Sequence, residues 1–257
     1  MGDRGLEEAI RAAGGVTELA RRIGLAQPSV SNWRRVPAER VLAVEAVTGV
    51  ARNLLRPDLY DDSTTREADD IDHARALEYA LLGTLLMRAP EPKLLEHVAA
   101  LRGDPSPLGL AHMALAEAAA EADVQEVEQE FFDLFIGIGR GELLPYASYY
   151  LTGFLHERPL ARLREDLARI DIGRAEGVTE PEDHAGILCE VMSGLASGQL
   201  AAPEDSGRII FTRHMAPWIG RFFADLERAD AANFYRRVGA LGRVFTEIET
   251  AAFALPS

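Results

Sequence analysis

Apolar positions recur every three to four residues along nearly the whole chain, and no stretch alternates with the period of two expected of a half-buried strand. Leu6, Ala9, Ile10 and Ala13 mark a first short amphipathic helix, stopped by Gly14 and Gly15. Val16, Leu19, Ala20 and Ile23 mark a second. Gly24 supplies a tight turn into a third helix over residues 27–34, with Val30 and Trp33 facing inward and Pro28, Ser29 and Asn32 outward. Pro37 suits the first turn of a fourth, residues 38–48, in which Val41, Val47 and either Val44 or Leu42 close a small core before Gly49 ends it.

Residues 61–72, DDSTTREADDID, are polar, acidic and aperiodic, and read as a flexible linker. From His73 the helical pattern resumes, with Leu77, Leu81 and Leu85 on one face and Leu94, Leu95, Val98 and Leu101 after the break at Pro90 and Pro92. Proline and glycine divide the remainder into helices over residues 108–122, 124–136, 147–155, 160–170, 181–197, 208–214, 217–227 and 231–253. The last carries Phe234, Val238, Leu241, Phe245 and Ile248 on one stripe, which must pack against the domain. Phe211, Trp218, Ile219, Phe222 and Phe223 are read as core in the same way. The expected architecture is all-α: a helix-turn-helix domain over residues 1–60, the linker 61–72, and an all-helical domain of roughly ten helices over 73–257.

Charge separates these parts further. The formal net charge of −14 disfavours a surface that coats nucleic acid or an anionic membrane as a whole. Residues 1–60, however, hold nine Arg against seven Asp and Glu, so the excess acid lies beyond them. The single cysteine, Cys189, leaves no intrachain disulfide and no cysteine-based metal cluster to build. The first twenty residues lack a signal-peptide core and no apolar run reaches membrane length, so a cytoplasmic location is expected.

Residues 130–151, EFFDLFIGIGRGELLPYASYYL, hold the densest pattern: an aromatic helix end, Gly137, Gly139 and Gly141, then Pro145 and a tyrosine cluster. A dinucleotide cradle needs a preceding strand and a third glycine three residues later, and both are missing, so the glycines are read as turn-formers. The six histidines form neither HExxH nor an i, i+4 pair, which gives a metal site little support. Cys189 follows His184 by five residues on one helix, a poor alignment for nucleophilic catalysis. Glu180, Glu182 and Asp183 are acids at a helix start, where the helix dipole favours them.

Two resemblances attach to these residues. The glycine turn between helices two and three, with Gln27, Ser29, Asn32, Arg34 and Arg35 about the third helix, resembles Cro-type repressor modules over residues 5–60; it implies amides and a hydroxyl reading base edges and arginines on phosphates. An interaction or dimerisation module of the same fold is the other reading. Residues 73–257 resemble the TorD/DmsD/NarJ family of cytoplasmic chaperones for molybdenum-containing redox enzymes. The resemblance rests on Glu180, Pro181, Asp183 and His184 of its Glu-Pro-x-Asp-His motif and on Phe131, Phe132, Phe135, Pro145, Tyr146, Ser148 and Tyr150. A third block, RHMAPWIGRFFADL, adds to it. It implies a non-enzymatic protein, without cofactor or metal, that binds the twin-arginine leader or apoprotein of a molybdopterin oxidoreductase of the DMSO reductase or formate dehydrogenase type. The implied peptide site is Tyr146, Ser148, Tyr150, Glu180, Pro181, Asp183 and His184. A transcription regulator with a TorD-like sensing domain is the alternative, and a homodimer is open. Independently of family, two adjacent cations followed by an apolar run call for clustered carboxylates beside an apolar groove.

Overall fold

Asp3 starts the first helix: its carboxylate accepts the Leu6 amide at 3.1 Å, and Gly14, at φ 90°, closes the far end of α1 (Arg4–Ala13) in the left-handed conformation that glycine adopts without penalty. The computed structural model describes residues 3–60, 62–174 and 179–255, with the backbone alone for 62–68. The chain divides into two units, Met1–Ile71 and Asp72–Ser257.

In the first unit α1 is followed by α2 (Val16–Arg22), a turn at Gly24 with φ 69°, α3 (Gln27–Ser31), a 3-10 turn Ala38–Arg40 leading into α4 (Val41–Thr48), and α5 (Arg52–Leu55). Leu19, Val30, Val36, Val41, Val44 and Leu55 are almost fully buried. The core takes Val44 and leaves Leu42 exposed at 55%. The third helix is shorter than its pattern suggested. It stops at Ser31, Trp33 is half-buried, and Val36 enters the core instead; Pro37 excludes Val36 from helical geometry and so forces an extended approach to α4. Arg56, 6% exposed, ties the end of the unit down by donating to Val36 O at 2.9 Å and, through a two-pronged pair, to Asp58 at 2.7 Å.

The acidic stretch read as a linker is helical. Asp61 lies outside the described residues, but Asp62–Met87 is one helix, α6. No glycine or proline interrupts the sequence from 62 to 82, and the aspartates sit toward the N-terminal end that the helix dipole favours. From Asp72 onward the second unit adds α7 (Pro92–Ala99), α8 (Pro107–Glu121), α9 (Val124–Phe131), α10 (Ala147–Thr152), α11 (Arg158–Arg169), α12 (Ala185–Ala196), α13 (Ser206–Ile210), α14 (Ile219–Arg228) and α15 (Phe234–Phe253). Ser106 and Asp123 cap α8 and α9 with side-chain oxygens. Alpha helices α9 and α13 each run on into one π turn, Phe132–Ile136 and Phe211–Met215. Tyr79, Phe211, Trp218, Phe222, Phe223 and Tyr235 form the centre of the core. Helices α14 and α15 meet where Gly239 and Gly242 stand; a Cβ on Gly239 would fall 2.6 Å from the Glu227 amide nitrogen. On α6 the buried face is Ala76, Tyr79, Leu82 and Leu86 together with Leu85, while Leu77 is 58% exposed.

Candidate functional site

Two segments of the second unit are joined by the one isolated β-bridge among the described residues, Tyr146 against His184. Ala147 N donates to Asp183 O at 3.0 Å, and Ala185 N to Pro145 O at 2.8 Å. The bridge places the start of α10 beside the start of α12, and side chains then lock it. The Asp183 carboxylate, 1% exposed, accepts the Ser148 amide at 2.8 Å and so caps α10 from another segment. Its second oxygen and the Ser148 hydroxyl are buried without a hydrogen-bond partner. His184 caps its own helix, with Nδ1 accepting the Gly186 amide at 3.0 Å, which fixes the proton of the neutral ring on Nε2. Burial drives its pKa down to about 4, against the opposing fields of Glu180 and Asp183.

Tyr146 packs edge-on against the His184 ring at 5.1 Å between centroids and donates its hydroxyl to Glu180 at 2.6 Å. Burial and the Glu180 carboxylate both push that hydroxyl's pKa upward. Glu182 is engaged by two guanidinium groups, Arg164 at 2.7 Å and Arg174 at 3.1 Å. Burial would raise its carboxyl, but these hydrogen bonds hold it below the ordinary range. Beside it opens a cavity of about 320 Å³ with Leu167, Ile172, Ile187 and Val191 on its apolar walls and Glu180, Glu182 and Glu190 at its edge.

The structure therefore gathers Tyr146, Ser148, Glu180, Pro181, Asp183 and His184 into one cluster. Tyr150 is turned elsewhere: its ring lies 5.4 Å from that of Trp218 and its hydroxyl donates to Asp225 at 3.0 Å. Ser148, Asp183 and His184 are buried, so they frame the site and do not form its outer surface; Glu180 and Glu190 are its more accessible acids. Arg164 and Arg174, which neutralise Glu182, carry no signal in the sequence, since nothing local says which arginine folds onto which acid. Cys189 is buried, its thiol pKa pushed up by that burial, as suits a core residue.

Residues 102–224, which contain this whole site, match the family described as nitrate reductase delta subunit. The chaperone protein TorD of Vibrio cholerae serotype O1 is 28% identical over 131 residues, covering 48% of this chain. TorD of Shewanella loihica is 21% identical over 204 residues, 70% of this chain and 93% of its own length. Over residues 102–224 the second unit is similar to the TorD/NarJ family. The chain spans about 60% of the length of the Vibrio TorD it matches. A solved structure assigned as a redox enzyme maturation protein, from Archaeoglobus fulgidus, aligns over 66% of this chain and 93% of its own at 20% identity and a TM-score of 0.45. Among the described residues no helix is long and apolar enough to cross a membrane.

In this unit the Glu-Pro-x-Asp-His residues are thus a fold-bracing clamp as much as a surface. The first unit matches, over residues 6–64, the family described as bacterial toxin YdaS. There Gln27, Ser29, Asn32, Arg34 and Arg35 are all exposed. Gln27 is held by Ser31 Oγ at 2.6 Å, and Arg35 pairs with Asp58 at 3.2 Å.

Proposed function

We propose that the second unit is a non-enzymatic, cytoplasmic maturation chaperone that binds the leader or apoprotein of a molybdopterin oxidoreductase of the DMSO reductase or formate dehydrogenase type, assisting cofactor insertion and delaying export. The observation that carries the reading is the Pro145–Ser148 and Glu180–Ala185 clamp, lying within a segment that matches the TorD/NarJ family. In this reading Asp183, His184 and Ser148 hold the bridge rigid. Glu180 and Glu190 offer the carboxylates that a pair of leader arginines requires, next to the apolar walls of the adjoining cavity. Calorimetric titration of the full chain with a synthetic twin-arginine leader should give saturable binding that weakens with salt without vanishing. Changing both leader arginines to lysine keeps the charge and removes the two-pronged geometry, and should weaken binding about tenfold. Equal affinity for the two peptides rejects the arginine recognition, and failure to bind leaders of any host molybdoenzyme rejects the chaperone role.

For the first unit we infer duplex binding through the exposed face about α3, where Gln27 and Asn32 would contact base edges. Each substitution to alanine should cost roughly 1 to 3 kcal/mol of base discrimination. Selection from a random duplex pool at low salt that enriches no sequence leaves this unit as an interaction module.

A further inference from the structure

Resting on the leader-binding reading above, we propose that Glu182 is a carboxylate that reads a leader arginine, and that Arg174 is its internal stand-in, which the leader displaces. Glu182 fills the one position that the Glu-Pro-x-Asp-His pattern leaves open, so the motif itself assigns it no role. What this carboxylate accepts is visible in its present partners, two guanidinium groups of the chain itself. Arg164 reaches Oε2 with Nε at 2.9 Å and Nη2 at 2.7 Å, and Arg174 donates to the same oxygen from Nη2 at 3.1 Å. Two guanidiniums converging on one acid is the chemistry that a ligand with adjacent arginines brings, and a planar, forked donor suits a carboxylate better than an ammonium does.

The two arginines are not held alike. Arg164 stands within α11 and uses two nitrogens, whereas Arg174 lies five residues past the end of that helix, outside any helix, and uses one. A single hydrogen bond from a side chain that is 36% exposed is the one an incoming guanidinium replaces most readily. Both arginines line the 320 Å³ cavity together with Glu180, Glu182 and Glu190, so three acids against two cations leave it a net charge of −1. Departure of Arg174 takes that to −2, and a leader arginine restores it. Ile172, two residues before Arg174, is one of the apolar walls, so the contested carboxylate and the surface for an apolar run lie in one cavity. A peptide without a guanidinium has nothing to exchange for Arg174. The stand-in therefore lowers affinity for every ligand while favouring those that carry arginine.

The test is fluorescence anisotropy of a dye-labelled synthetic twin-arginine leader with the full chain. Arg174→Gln should bind the leader about fivefold more tightly than wild type, the factor that one exposed ion pair is worth at most. Arg228→Gln removes an exposed cation that does not line the cavity and should bind as wild type; equal tightening there makes the gain a general effect of charge and overturns the stand-in. In a Glu182→Gln background the gain from Arg174→Gln should vanish, because no carboxylate is left to contest, and its persistence overturns the role given to Glu182. A leader with both arginines changed to glutamine should show no gain either. If it gains as much, Arg174 only obstructs the apolar walls and the proposal fails. Affinity of Arg174→Gln equal to or below that of wild type overturns the proposal while leaving the leader reading in place. Absence of leader binding by both proteins removes both.

Discussion

Glu249→Ala is expected to cost about 3 to 5 kcal/mol of folding stability, the range for breaking one side of a buried, hydrogen-bonded ion pair. Glu249 is 1% exposed on α15, and its two oxygens accept from Arg75 at 2.8 and 2.9 Å and from the Tyr79 hydroxyl at 2.8 Å, both on α6. Burial works against the Arg75 charge, but Glu249 and then Asp72 hold its pKa above the ordinary value. Without the glutamate, a half-buried guanidinium and a buried phenol lose their acceptor in the same place where Tyr79 packs edge-on to Phe245 at 4.7 Å. The thermal midpoint should fall on the order of 10 °C, with Glu249→Gln intermediate because one oxygen still accepts. A midpoint within about 1 °C of wild type for the alanine variant would show that the pair contributes nothing net.

Glu249 also marks where sequence reading stops. The stripe Phe234, Val238, Leu241 and Phe245 is buried as the helical period demands, yet at the next step Ile248 is 45% exposed and the acid beside it goes inside. Both positions lie near the edge of the apolar face, and the choice is made by Arg75 and Tyr79, 174 and 170 residues away. Period and punctuation are local, so they give the all-α class and most helix ends, which glycine and proline set within a few residues. Partnership between helices is not local. For the same reason α6 buries Tyr79 and Leu82 and leaves Leu77 out, and the acidic run at 62–72 continues a helix although its pattern has no apolar period.

The candidate site was legible as residues and not as geometry. The motif residues around Tyr146 and His184 stand out in the sequence, but the bridge that unites them is made by backbone groups, which carry no side-chain signature. Burial of Asp183 and His184 changes what their substitution means. With the carboxylate accepting the Ser148 amide and the imidazole capping α12, either change perturbs the fold before it perturbs recognition. Exposed positions such as Arg174 separate the two effects; buried ones do not.

Glu130→Ala is the second large loss to expect, on the order of 3 kcal/mol, and it concerns the aromatic and glycine-rich stretch itself. Helix α15 begins at Asn233 with no side-chain cap of its own. Glu130 on α9 supplies one from outside: its oxygens accept the amides of Asn233 at 2.7 Å, Phe234 at 3.0 Å and Tyr235 at 2.6 Å, three of the donors that a helix start leaves unpaired. The same junction is packed by Phe131 and Phe135 against the Tyr235 ring, at 5.9 and 5.4 Å between centroids. An apolar reading of this helix sees the phenylalanines and takes the glutamate for a solvated acid, because three backbone donors a hundred residues away leave no mark on the local pattern. Alanine at this position removes every acceptor and leaves the rings in contact, whereas glutamine keeps one oxygen and should lose less than half as much. Hydrogen exchange reads the effect where it arises: the amides of Phe234 and Tyr235 should exchange markedly faster in Glu130→Ala than in wild type, under conditions where the global stability loss has been subtracted using amides in the middle of α15. Unchanged protection at those two amides would mean that the helix start finds other acceptors and that Glu130 is dispensable.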